Sequence, residues 1–474
     1  MALPGAPSLA TRALAGFVRL TNARSFRRAT KRLGEALLTH QRWLPGERIE
    51  SIATQYAQAS STCCEKGSAH NLFAERFLRE FGERTTKRAR DYLRDGDPKT
   101  AGARLDAWVR MALVGELRGN VLFPRRGREG VPTALLHQAQ LALYPHCDLG
   151  CEGCFTEEDR VGRAPSGERI AWLVDEADAC GAGVIHVVGK GEPFLSPTWA
   201  NELLSVLEAR PHLFFTLATH GMHVTREQAD RLAMAGNVLL LVSVDGPAPI
   251  HDARRGAGSY ARVMNAMDML RERGAHFGYS CMVSSKSHHA LASGAFVQSM
   301  TERGCSIGVH SRYFPLAAGR SEELALSPAA LAEYRAAFER VKQTSEIPLL
   351  DLDDVEQHSG CHSRTGESVY IDGITGAVTP CLRVPFGPAD CRVDPQAGLR
   401  LADALEHPYF VEYRARTGPC PSWCGADLAA ELTDVQRILA HHGGNPERLD
   451  GYLGRSPSAN GDGRRRLPIA GSTP

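Results

Sequence analysis

The chain has 474 residues, 43% of them hydrophobic, and sets 55 Lys and Arg against 54 Asp and Glu for a formal net charge of +1. That length and apolar content suffice for two or three packed domains, and the balanced charge removes any global electrostatic case for nucleic acid as a partner. No apolar run reaches the roughly eighteen residues of a membrane-spanning helix, and the N-terminus lacks the apolar stretch of a signal peptide. The 13 cysteines are odd in number and grouped at short spacings, which points to a reducing cytoplasm and metal ligation over disulfides.

Residues 1–130 show no strand-like alternation and read as a helical N-terminal domain, with helical stretches over 9–41, 46–60, 68–94 and 99–117. Between Met1 and Pro45, Arg12, Arg19, Arg24, Arg27, Arg28, Lys31, Arg32 and Arg42 face a single acid, Glu35, with apolar residues between them. Such a basic amphipathic stretch suits either a peripheral contact with the anionic inner face of a membrane or an ordinary helix with a solvated charged side. The adjacent Cys63 and Cys64 do not suit joint tetrahedral ligation and read as structural.

Residues 131–330 alternate strand-like and helical runs. The strands fall at Gln138 to Tyr144, Val184 to Val188, Leu213 to Thr219, Val238 to Val244, His276 to Val283 and Ser306 to Arg312. Such alternation predicts an α/β fold on a parallel sheet. The first strand runs directly into His-Cys-Asp-Leu-Gly-Cys-Glu-Gly-Cys-Phe, which holds Cys147, Cys151 and Cys154. Three thiolates on one short loop can hold three irons of a four-iron cluster and leave the fourth open to an exogenous ligand, as a reactive cluster requires. Cys180, Cys281 and Cys305 lie in or beside sheet elements and read as core thiols.

A helix near Ser327 to Gln343 leads into a cysteine-bearing segment, 331–430. Cys361 precedes a hairpin made of Val369 to Asp372, a turn from Gly373 to Gly376 and Ala377 to Cys381, and Cys420 and Cys424 follow downstream. These four thiols suit tetrahedral zinc or full ligation of an iron-sulfur cluster. Cys391 reads as an alternative ligand, a proton donor or a buried core residue. The remainder, 431–474, holds the end of a helix near 429–442 and a Gly-, Ser-, Pro- and Arg-rich disordered tail.

The spacing Cys147-x3-Cys151-x2-Cys154 resembles the signature of the radical S-adenosylmethionine (SAM) superfamily. The resemblance extends through Gly189-Lys190-Gly191-Glu192-Pro193, similar to that family's Gly-Gly-Glu-Pro, and Ser243-Val244-Asp245-Gly246 with Arg254-Arg255-Gly256, similar to its Ser-Leu-Asp-Gly to Arg-Gly stretch. It implies a partial (β/α)6 TIM-like barrel with the cluster loop after the first strand, a [4Fe-4S] cluster, and SAM cleaved to a 5'-deoxyadenosyl radical. Gly191 and Glu192 would meet the methionine ammonium, and Ser243 with Arg255, or Arg254 in another register, the SAM carboxylate or ribose. Thr219-His220-Gly221 stands where relatives often carry Thr-Asn-Gly, so His220 lines the site or is a structural loop histidine. The residue before the third cysteine is often aromatic in the family and packs near adenine; here it is Gly153, with Phe155 after the cysteine.

The pattern of Cys361, Cys381, Cys420 and Cys424 resembles a shortened SPASM or "twitch" extension with one auxiliary [4Fe-4S] cluster, zinc being the alternative. The implied function is a radical SAM oxidoreductase or maturase that oxidises a ribosomal peptide or specialised metabolite, supplied with electrons by a donor such as a flavodoxin or ferredoxin. The alternatives are radical modification of a lipid tail and a non-catalytic iron-sulfur carrier.

Overall fold

The computed structural model describes residues 136, 138–154, 162–210, 213–235, 237–315, 321–347, 349–352, 362–364, 366–384, 386–415 and 428–444. The basic N-terminal stretch, Cys63, Cys64, Phe155, Cys361, Cys420, Cys424 and the C-terminal tail lie outside the described residues.

Strand β1 (Gln138–Ala142) alternates polar and apolar positions, burying Ala139 and Leu141 on one side. It is followed by α1 (Gly167–Ala179), β2 (Val184–Val187), α2 (Pro197–Glu208), β3 (Phe214–Thr219), α3 (Arg226–Ala235) and β4 (Val238–Ser243). Two helices, α4 (Ala248–Arg255) and α5 (Ser259–Glu272), separate β4 from β5 (Phe277–Val283). The short α6 (His288–Leu291) and α7 (Gly294–Glu302) precede β6 (Gly308–Arg312), and α8 (Pro328–Thr344) leads to β7 (Leu349–Asp351). Helix starts carry their expected caps: Ser166, Ser293 and Ser327 each accept a backbone N–H three residues on.

All neighbours from β7 through β1 pair in parallel, and the sheet order is β7-β6-β5-β4-β3-β2-β1-β8-β9. This is an open partial barrel. The six strands expected from the sequence are all present, and the sheet grows beyond them at both edges. Strand β8 (Ser368–Asp372) pairs parallel to β1, and β9 (Val378–Thr379) folds back antiparallel on β8. The hairpin expected of the C-terminal segment is therefore continuous with the barrel sheet. The reason is visible in the register, since Val369 and Ile371 stand beside Ala139 and Leu141 and extend the same buried row.

Alternation divides the sheet into two faces. Ile185, Val187, Phe215, Leu217, Leu240, Val242, Phe277 and Tyr279 pack with apolar residues of the helices in the main core. The opposite face carries a smaller apolar cluster of Phe214, Leu239, Ile307 and Val309. Beside it runs a polar row in which His186 bridges strands, with Nδ1 2.6 Å from Thr216 Oγ1 and Nε2 2.8 Å from Gln138 Oε1. Burial lowers the His186 pKa to about 4, so the ring is neutral. The chain continues through α9 (Leu401–Leu405), α10 (Pro408–Arg414) and α11 (Leu428–His441). Among the described residues no helix is long and apolar enough to cross a membrane.

Candidate functional site

The C-terminal ends of β1 to β5 bring four loops together, the position where a parallel barrel carries its chemistry. The cysteine loop leaves β1 and is held at both ends by backbone. Glu192 N donates to His146 O at 2.8 Å, and Glu152 N donates to Arg254 O at 3.1 Å. A tight turn joins the second and third thiols, with Cys154 N donating to Cys151 O at 3.1 Å and Gly153 at φ 71°. Cys151 is buried, while Cys147 and Cys154 are half-buried. The structure thus brings three of the sequence-derived motifs into direct contact.

Gly191 is required by that contact. A Cβ there would collide with the carbonyl oxygens of His146 and Tyr144, which are backbone atoms and cannot yield. The neighbouring Glu192 is 2% exposed and held by three donors, with acceptor capacity left on Oε2. Its Oε1 accepts from Thr219 Oγ1 at 2.5 Å and Phe194 N at 3.0 Å, and its Oε2 accepts from His220 N at 2.9 Å. Lys190, which stands at the place of a family glycine, reaches away from this cradle to Asp372 Oδ2 of β8 at 2.7 Å.

Ser243 ends β4, half-buried and opposite Ser280 in register. Two residues on, Asp245 is fully buried and collects both arginines of α4, Arg254 NH1 at 2.6 Å and Arg255 Nε at 2.5 Å, with Met282 N at 2.9 Å on its other oxygen. Burial alone would raise the Asp245 carboxyl, but the two guanidiniums hold it well below the usual carboxylate range. Arg255 NH1 is also 3.9 Å from Cys151 Sγ. Burial pushes the Cys151 thiol up, and the charges of Arg255 and Arg254 oppose that rise. Arg254 and Arg255 therefore lie at the cysteine loop, with Arg255 held between a carboxylate and a thiol.

His220 stands on the far side of the loop. Its Nε2 is 3.0 Å from Asp148 Oδ1, and His223 Nε2 is 2.8 Å from the other oxygen of the same carboxylate. Hydrogen bonding from His220, and from His223 against the opposing effect of burial, holds Asp148 well below its ordinary range. Burial would lower the His220 imidazole, but hydrogen bonds to Asp148 and Cys147 with the Glu192 charge raise it to about 9.

Sequence reasoning gave no role to Asp148, His223, Asp245, Asp372 or Tyr313. Asp245 carried a readable signal, an acid shortly before paired arginines at helical spacing. Asp148 and Tyr313 carried none, because their partners lie far away in sequence. Tyr313 follows β6, and with Leu324 it fills the space over Gly153: a Cβ built there would stand 2.7 Å from Leu324 Cδ1 and 2.8 Å from the Tyr313 ring.

The donor set fits an iron-sulfur cluster. Three thiols on one loop, ringed by Arg254, Arg255 and His220, supply thiolate ligands and compensating positive charge for an anionic group. The second cysteine group is described only at Cys381. It is half-buried at the end of the hairpin, where the next residue's N–H donates to Gln140 Oε1 of β1 at 3.2 Å. Cys391 is a core residue, 1% exposed, with Sγ donating to Ala404 O at 3.6 Å and burial pushing the thiol up to about 12. Cys281 and Cys305 are buried and Cys180 half-buried, and none of the described cysteines forms a disulfide.

Residues 141–284 match the Radical SAM superfamily model. The mycofactocin maturase MftC of Mycobacterium ulcerans is 31% identical over 133 residues, which is 27% of this chain and 34% of the relative. An AdoMet-dependent heme synthase of Methanosarcina barkeri is 29% identical over 151 residues, 31% of this chain and 42% of the relative. The chain spans about a third of the length of the MftC relatives it matches. Among solved structures, SuiB of Streptococcus suis bound to S-adenosylmethionine superposes with a TM-score of 0.52 at 14% identity, covering 70% of this chain and 83% of that one. SuiB bound to its precursor peptide SuiA gives 0.50 at 13% identity over 68% and 73%. These two structures share the fold.

Proposed function

Residues 141–284 form a radical SAM domain, and on that premise we propose that this protein is a radical SAM maturase that oxidises a peptide substrate. The observation that carries the reading is the convergence of the Cys147–Cys154 loop, the Gly191-Glu192 cradle and the Arg254-Arg255 pair through direct backbone and side-chain contacts. Cys147, Cys151 and Cys154 would hold a [4Fe-4S] cluster which, given SAM and one electron from an external donor, would supply a 5'-deoxyadenosyl radical.

This chain's own residues do the rest. Glu192 offers a carboxylate at the floor of the cysteine loop for the methionine ammonium, a charge-assisted contact, and Gly191 lets the backbone come close enough. Arg255, pinned by Asp245, aims its remaining donors at the cysteine loop, where an anionic group is expected.

Peptide as substrate class rests on kinship: the matched relatives include maturases, and a solved neighbour of the same fold binds a precursor peptide. We assign Cys361, Cys381, Cys420 and Cys424 to an auxiliary [4Fe-4S] cluster that takes up the electron left on substrate, and a flavodoxin or ferredoxin to the supply of electrons. The test is anaerobic reconstitution followed by dithionite-driven SAM cleavage. Deoxyadenosine is expected from wild type and none from the Cys147→Ala, Cys151→Ala, Cys154→Ala triple variant. Loaded protein that leaves SAM intact would make this an iron-sulfur carrier instead.

A further inference from the structure

One side chain touches both halves of the proposed site. His220 follows β3, is 3% exposed, and is oriented by its own turn, its Nδ1 accepting from Met222 N at 3.2 Å. With Nδ1 an acceptor, Nε2 carries the proton. That N–H faces Asp148 Oδ1 at 3.0 Å and Glu192 Oε2 at 3.4 Å, and the His220 nitrogen, the Asp148 oxygen and Cys147 Sγ all lie within 4.8 Å of one another. A buried donor is thus set among three groups that are anionic when the site is loaded.

Hydrogen bonds and positive charge near a cluster's sulfurs stabilise the reduced, more negative state and raise its potential, whereas a nearby carboxylate does the reverse. Asp148 is such a carboxylate, and His220 and His223 each hydrogen-bond to one of its oxygens, drawing its charge away from the sulfur. Resting on the radical SAM reading, we propose that His220 is a positioning residue that holds Asp148 and the Cys147 thiolate against Glu192, making the cluster on Cys147, Cys151 and Cys154 easier to reduce.

The experiment is a potentiometric titration of the anaerobically reconstituted full chain, followed by electron paramagnetic resonance of the signal that changes on SAM addition, with iron counted in each sample. In His220→Leu the midpoint is expected to move negative, because the donor is lost and Asp148 unmasked. In His220→Gln, which keeps an amide N–H, it should lie between that value and wild type. In Asp148→Asn it should move positive. An unchanged midpoint in both His220 variants at wild-type iron content overturns the proposal, as does movement of Asp148→Asn in the same direction as His220→Leu. Should His220→Leu fail to hold iron, His220→Gln and Asp148→Asn still carry opposite expected signs. Absence of any SAM-sensitive signal in wild type, by contrast, removes the radical SAM reading and this inference with it.

Discussion

Gly153 has no room for a side chain, because the space over it is filled from elsewhere in the chain. Tyr313 and Leu324 occupy the volume over the turn, and φ of 71° further disfavours any L side chain. Placing an aromatic there with Gly153→Phe is therefore expected to impair cluster loading, and adding Tyr313→Ala should recover part of it. Iron content of the single and double variants measures this; equal loading in Gly153→Phe and wild type would show that the turn has slack. Asp245 is the other residue on which much depends. Asp245→Asn leaves two guanidiniums in a buried site short of their countercharge, a loss of about 3–5 kcal/mol by analogy with broken buried pairs. Because the folded carboxyl is held below its ordinary range, its stabilising effect is complete above the unfolded value and is lost as pH falls through the folded one. The wild type's advantage in thermal midpoint should therefore be level between about pH 5 and 8 and shrink only below about pH 4.

At the scale of elements, alternation exposed the sheet and local chemistry exposed the hairpin. Val184, Phe214, Val238 and Phe277 begin strands within a residue of where apolar runs begin, and the Gly373 to Gly376 turn connects β8 to β9 as its composition requires. What the sequence hid was the docking of that hairpin on β1. Pairing between strands more than two hundred residues apart leaves no periodic trace, and part of its specificity comes from Lys190 and Asp372, an ion pair with side chains only 10% and 11% exposed. Asp372 also accepts from Ile374 N and Thr375 Oγ1, so it shapes the turn while anchoring it. Lys190→Gly, which removes the ion pair with Asp372, is expected to increase amide exchange across β8 and β9 while leaving β3 to β5 protected. Uniform protection would mean that the β1–β8 ladder alone holds the hairpin. A similar clasp closes the C-terminal side, where Glu412 of α10 meets His441 and His442 at 2.8 Å each and Arg437 at 3.1 Å.

At the scale of the whole molecule, the continuous sheet bears on how two cysteine groups can serve one reaction. Leu382, the residue after Cys381, donates its N–H to Gln140 of β1, and a Cβ at Gly189 would stand 3.6 Å from its Cδ1, so the hairpin end is fixed to the same wall from which the Cys147 loop rises. Cys381 is thereby related to the Cys147 loop through one sheet, although the sequence separates the two by over two hundred residues. The Cys147 loop stood out as a candidate site because thiol spacing is local; its surroundings, Asp245, Asp148 and Tyr313, did not, because they are assembled by the fold. A division of labour follows. Cys381→Ala should leave SAM cleavage to deoxyadenosine intact, since Cys381 lies on the hairpin and outside the Cys147 loop, while abolishing net oxidation of the substrate. Wild type should then carry about eight irons, and Cys381→Ala and the triple variant of the first site about four each. Zinc beside about four irons in wild type would make the second group a structural staple, and Cys381→Ala would in that case lower stability without separating cleavage from oxidation.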